Sequence, residues 1–153
     1  MKKKSNALPF LISKHLCVAV LLNQTVSFHA RLNSNINVPV GSTLILPILL
    51  NNHGNAYDGS TGKFTAPYTA TYCFLATTED FINGPRSVMA LVVDGKEVDY
   101  VETDGPSYGQ SASVHAVLRL TVGQKVWLNV PKDNNYFGAH STAFSGFLVD
   151  HSQ

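Results

Sequence analysis

Charge is scarce in this chain: Asp, Glu, Lys and Arg make up 14% of its 153 residues. An average soluble domain carries nearer 25%, so Ser, Thr, Asn, Gln and Gly must form much of the surface. Such surfaces occur in secreted β proteins and at subunit contacts, where charge is depleted. Positive charge is scarcer still over most of the length. Four of the eleven basic residues are Lys2, Lys3, Lys4 and Lys14, and without them the acidic residues dominate. Nothing remains to neutralise a row of phosphates, which excludes a nucleic-acid groove. Two cysteines, Cys17 and Cys73, do not make a disulfide framework. No Gly-x-y repeat occurs, so these residues hold no collagen triple helix. Low-complexity tracts and an interdomain linker are also missing. The apolar runs at 8–12 and 16–22 are split by Lys14 and His15 and fall short of the roughly 20 residues a membrane span needs.

Catalytic signatures are absent as well. His15, His29, His53, His115, His140 and His151 show no paired metal spacing. Phe144-Ser145-Gly146-Phe147 lacks the first glycine of a nucleophile elbow. There is no phosphate loop and no nucleotide fingerprint. The chain is therefore expected not to be an enzyme.

Hydrophobic residues make up 44%, enough for a sizeable core in one domain. Residues 26–32 alternate, with Val26, Phe28, Ala30 and Leu32 on one face and Ser27, His29 and Arg31 on the other. His29 and His115 are thereby expected on an outer strand face or at a subunit contact. Residues 43–50 are almost continuously apolar, which predicts a strand buried on both sides. Pro47 within it argues for a bulge or an edge. Residues 69–77 form a further strand, in which Cys73 faces away from Tyr72 and Phe74. Segments 86–93 and 96–101 flank Asp94-Gly95, a hairpin signal because both residues tolerate positive φ. Segments 113–120 and 125–130 flank a second turn at Val122-Gly123, and residues 143–149 close the set. Short strands punctuated by Gly, Asn and Pro predict an all-β sandwich.

The densest signal runs Asn52-His53-Gly54-Asn55-Ala56-Tyr57-Asp58, then Lys63-Phe64-Thr65-Ala66-Pro67, then Thr71-Tyr72-Cys73-Phe74. Four residues separate Asn52 from Tyr57, six separate Tyr57 from Phe64, and seven separate Phe64 from Tyr72. Turn formers lie between these anchors. The pattern throws aromatic plugs from successive strands into one interior. It resembles the signature of the complement C1q globular-head family: aromatic, Asn, aromatic, Phe, Gly, then Tyr-x-Phe. Leu46 stands in place of the usual Phe, and Ala70 in place of the usual Gly, which is acceptable only if no positive φ is needed there. Two later blocks also resemble the family: Ser111-Ala112-Ser113 followed by Val117 to Leu128, and Ser141 to Val149, which is similar to the closing strand. The stretch from Val117 to Leu128 is similar to the family's paired strands around a Gly-Asp turn, with Gln124 in place of Asp.

The resemblance implies a jelly-roll β-sandwich of about ten strands in the tumour necrosis factor-like superfamily, spanning residues 25–153. It implies a secreted, extracellular homotrimer without collagen stem that binds microbial glycans or lipopolysaccharide as an innate-immune lectin. A trimeric signalling ligand for a cell-surface receptor is the alternative, and a structural matrix protein a third. The acidic residues Asp94, Glu97, Asp99, Glu102 and Asp104 lie close together, and carboxylates suit calcium, which takes six to eight oxygens. By resemblance the calcium ligands are Glu102 and Asp104, with Gln110 where a second Asp would help; a solvated hairpin is the plainer reading. Aromatic and polar loop residues are candidate sugar contacts: Tyr108, Asp133, Asn134 and Tyr136, accompanied by Tyr100, Ser107, Asn135 and Phe137. Residues 1–24 read either as a degraded signal peptide or as a short helix. Asn23-Gln24-Thr25 is a glycosylation acceptor only if residue 23 is kept in a secreted chain.

Overall fold

The computed structural model describes residues 24–79, 86–103, 110–132 and 135–151. Twelve strands occur among them: β1 (Ser27–Arg31), β2 (Ile36–Val38), β3 (Ile48–His53), β4 (Tyr57–Asp58), β5 (Lys63–Thr65), β6 (Ala70–Glu79), β7 (Val88–Val93), β8 (Lys96–Glu102), β9 (Ser111–Leu120), β10 (Lys125–Asn129), β11 (Asn135–Phe137) and β12 (Ala143–Asp150). A first sheet runs β3-β1-β12-β6-β9 and a second runs β4-β5-β10-β7-β8, with a small β11-β2 pair beside them. The predicted all-β jelly roll is what forms. Residues 1–23, with Cys17 and Asn23, lie outside the described residues.

Aromatic plugs from both sheets fill the interior. In the first sheet Phe28, Phe74 and Phe144 point inward from β1, β6 and β12. In the second, Tyr57 and Phe64 point inward from β4 and β5. All five are at most 2% exposed. Phe28 stacks on Tyr57 with ring centroids 4.6 Å apart, and Phe64 meets Phe74 edge-on at 5.2 Å. Such pairs add about 0.5–1.5 kcal/mol each beyond the apolar area they bury. Register places Gly146 between Phe28 on β1 and Phe74 on β6. A Cβ there would lie 2.5 Å from Phe28 and 2.7 Å from Phe74, so only glycine lets both rings fill the row.

The polar members of the motif close turns. The Asn52 side chain donates to the Tyr57 carbonyl at 2.8 Å and accepts from the Tyr57 amide at 3.2 Å. It thereby ties β3 to β4 around Gly54 and Asn55, both at positive φ. Burial pushes ionisation of the Tyr57 phenol far above its ordinary range, so it stays a neutral donor to the Leu46 carbonyl. Tyr72 Oη donates to the Tyr68 carbonyl at 2.8 Å. Ala70 is not at positive φ, which is why alanine serves there. Asp94 and Gly95, at φ 47° and 88°, form the two-residue hairpin between β7 and β8.

Two expectations are corrected. Residues 43–50 do not form a strand buried on both sides. Leu44 and Leu46 are buried, but Ile45, Leu49 and Leu50 are exposed. The strand starts only after Pro47, as edge strand β3, and its register against β1 slips at His29/Ala30. The apolar run thus alternates up to Pro47 and is largely exposed beyond it, along a sheet margin. Segments 113–120 and 125–130 are not partners either. β9 pairs with β6 in the first sheet, whereas β10 lies between β5 and β7 in the second. Their connecting turn crosses the sandwich instead of closing a hairpin. Gln124 explains its own presence: its carbonyl accepts from the Thr121 amide at 2.9 Å, and its amide donates to Asp94 at 3.0 Å. The turn is thereby pinned to the β7–β8 hairpin.

Candidate functional site

Residues that alternate inward on the first sheet leave a second set outward. Across the strands, β-ladder register aligns His53, Ser27, Phe147, Cys73 and Val117 in one row. The next row holds Asn51, His29, Ser145, Leu75 and His115. Phe147 is 51% exposed, Leu75 44% and Val117 65%. Cys73, a free thiol, lies half-buried between Phe147 and Val117. Neither row contains Asp, Glu, Lys or Arg. Adjacent apolar side chains without charge on a sheet face mark an interaction surface more than a solvated one. His29 and His115 fall within it, on the outer face where the alternation placed them. His29 Nδ1 lies 2.6 Å from Ser145 Oγ, a hydrogen bond that ties the imidazole to β12. The sequence signal for this face was available in β6, where the outward positions Cys73 and Leu75 are as apolar as the inward ones.

The residues singled out from sequence are placed as follows. Glu102 ends β8, and its carboxylate accepts from Arg86 and from Lys132, the latter at 2.8 Å. Those partners, Lys132 foremost, hold its carboxyl below the usual range, and the Lys132 ammonium is raised in turn. Calcium would have to compete with both cations for these oxygens. Gln110 directly precedes β9. Asp104, Tyr108, Asp133 and Asn134 lie outside the described residues, as does Ser107. Among the described residues no three His, Cys, Asp or Glu side chains converge as a metal site. Tyr136 sits half-buried on β11, paired with Asn37 of β2. Its neighbours serve the core: Phe137 is fully buried, and buried Asn135 accepts from the Val88 amide and donates to the Lys132 carbonyl. Tyr100 is 55% exposed on β8. No helix among the described residues is long and apolar enough to cross a membrane.

A family profile described as C1q domain matches residues 27–149. Caprin-2 of Danio rerio is 32% identical over 104 residues, covering 67% of this chain and 11% of that protein. Human Multimerin-1 is 34% identical over 125 residues, 71% of this chain and 9% of its own length. Complement C1q tumor necrosis factor-related protein 3 of Mus musculus is 32% identical over 113 residues, 71% of this chain and 45% of that protein. The chain therefore spans less than half the length of these relatives. Among solved structures, the globular domain of zebrafish complement 1qA matches with TM-score 0.66 at 20% identity, covering 84% of this chain and all of that one. Eiger TNF from S. frugiperda matches with TM-score 0.68 at 9% identity, covering 84% of this chain and 94% of that one. At these identities the structural likeness speaks for the fold alone.

Proposed function

Because the chain belongs to the C1q domain family, we propose that it is a secreted, non-enzymatic head that assembles as a homotrimer and recognises microbial glycans or lipopolysaccharide in innate immunity. The observation that carries the trimer is the uncharged outer face of the first sheet, with Phe147, Leu75 and Val117 exposed around Cys73. Edge strand β3 adds Leu49 at 41% and Leu50 at 58% exposure. A ring of three copies needs two different patches that close on rotation, and a sheet face with an apolar edge supplies both. Three rigidly linked heads convert weak single contacts into avidity, which suits a repetitive microbial surface.

Sedimentation velocity across micromolar concentrations tests the assembly: a threefold mass is expected, and a monomer throughout removes the proposal. A glycan array on the same protein tests the ligand class. The likeness to complement C1q tumor necrosis factor-related protein 3 favours a second reading, a trimeric ligand for a cell-surface receptor. A silent array with saturable binding to cells selects it. Calcium enters as an accessory after β8, where Glu102 would exchange Arg86 and Lys132 for the ion. Calorimetric titration of calcium into the protein tests this, and absence of binding heat at millimolar calcium removes it.

A further inference from the structure

The second sheet has an outer face of a different chemistry. Trp127 on β10 lies between buried Val126 and Leu128, so its indole turns outward. Register sets Lys63 of β5 on one side of it and Val92 of β7 on the other. Lys63 Nζ stands 4.4 Å from the indole centroid and covers the ring from the β5 side. Toward β7 and β8 a groove of about 320 Å³ opens, lined by Trp127, Val92, Glu97, Thr43 and Asn129 together with Gly41 and Gly95. Asn129 is fixed as a wall: with its amide nitrogen turned toward the backbone it donates to the Ser42 carbonyl at 2.7 Å and to that of Gly41 at 3.2 Å.

A second groove of about 200 Å³ adjoins it, lined by Glu97, Tyr100, Pro131 and Lys132. Glu97 belongs to both. A regular strand would put residues three apart on opposite faces. Here Val92 pairs with Glu97 and Leu91 with Asp99, which leaves Val98 as an unpaired extra residue. The bulge restores the phase, and Tyr100, opposite Ala90, shares a face with Glu97. Re-aiming side chains is a recurrent use of bulges beside binding sites.

We infer that this face is a two-subsite groove for a neutral saccharide, with one sugar ring against Trp127, the next against Tyr100, and Glu97 accepting hydroxyl protons between them. The inference rests on the glycan reading above and gives that reading a location. Aromatic faces, backed by Val92 and Pro131, offer flat apolar platforms to the C–H faces of sugar rings. A carboxylate accepts but cannot donate, and sugar hydroxyls supply the missing protons. Charge narrows the ligand class. Lys63 already occupies one face of the indole and disfavours a second cation on the other, while Glu97 repels an anion and the Lys132 charge is taken up by its ion pair with Glu102.

Trp127 is the chain's single tryptophan, so its emission reports on the groove without any substitution. The full chain is titrated into the millimolar range with lactose, maltose and N,N′-diacetylchitobiose. A saturable change with at least one is expected, weakened about tenfold in Glu97→Ala and in Tyr100→Ala, since each removes a hydrogen bond to a charged group or a stacking platform. Both side chains are exposed, so melting temperatures should match the parent. If all three sugars leave the emission unchanged while the glycan array is positive, sugar binds elsewhere: the groove is wrong and the lectin reading stands. A silent titration and a silent array overturn both. A response that persists undiminished in both variants also overturns the groove.

Discussion

On one side of the sandwich β12, β6 and β9 turn Phe147, Leu75 and Val117 outward; on the other, β10 and β8 turn Trp127, Glu97 and Tyr100 outward. The same strand periodicity produces both faces, and the inward positions behind them are equally apolar. The outward positions differ in charge. The two central rows of the first sheet carry none, and its charges, such as Arg31, Glu79 and Arg119, stand at strand ends. The second face interleaves Lys63, Glu97 and Lys132 with aromatic rings. An uncharged face suits burial against a copy of the chain, where charge must be desolvated. A charged, grooved face suits a small polar ligand that enters and leaves water. One domain can then assemble through one side and bind through the other without competition between the two.

The largest test of this division is Phe147→Asp. Each such phenylalanine buried at a contact contributes about 1.5–3 kcal/mol, and a carboxylate in its place would be desolvated. Sedimentation should show monomer, while the Trp127 response to disaccharide per protomer stays as it was. A Phe147→Asp trimer would break the assignment of the faces. Gly146→Ala comes next and should affect both sides, because the added methyl enters the row shared by Phe28 and Phe74. Overpacking of this kind costs about 1–3 kcal/mol, read as a lower urea midpoint. Tyr100→Asp sharpens the comparison from the other side: the trimer mass should persist while saccharide affinity falls by about tenfold.

The smallest effect concerns pH. Asp94 accepts from the Lys125 amide at 2.9 Å and from Gln124, and these bonds hold its carboxyl below the ordinary aspartate range. Its folded value lies below its unfolded one. Its contribution is therefore complete above the unfolded value, near pH 4, and is lost as pH falls through the lower folded value. Asp94→Asn keeps the left-handed turn residue but removes the titration. The variant should be slightly less stable than the parent at neutral pH, and the two unfolding curves should converge as pH falls through that window.

Much of the fold was legible because alternation and turn chemistry agreed. Phe28, Tyr57, Phe64, Tyr72 and Phe74 are core residues as their spacing indicated, and Asp94-Gly95 is the hairpin its φ tolerance indicated. Partner choice was not legible for β9 and β10. A four-residue link from Thr121 to Gln124 can close a hairpin or cross between sheets, and only the competing ladders with β6 and β7 decide it. The run at 43–50 misled because continuous apolarity is the same on a doubly buried strand and on an exposed edge. Of the groove, Tyr100 was visible as a loop aromatic. Glu97 was visible only as a member of the acidic run, and Trp127 was not singled out: the Val98 bulge that brings Glu97 and Tyr100 to one face leaves no mark in local composition.

Cys73 gives the most direct test of the claim that the first sheet's outer face is the assembly face. It is a free thiol between Phe147 and Val117, and peptide mass mapping separates it from Cys17. Maleimide labelling of Cys73 should be slow at concentrations where the chain sediments as a trimer, and fast on dilution or in Phe147→Asp. Equal, rapid labelling in all three conditions would contradict the account.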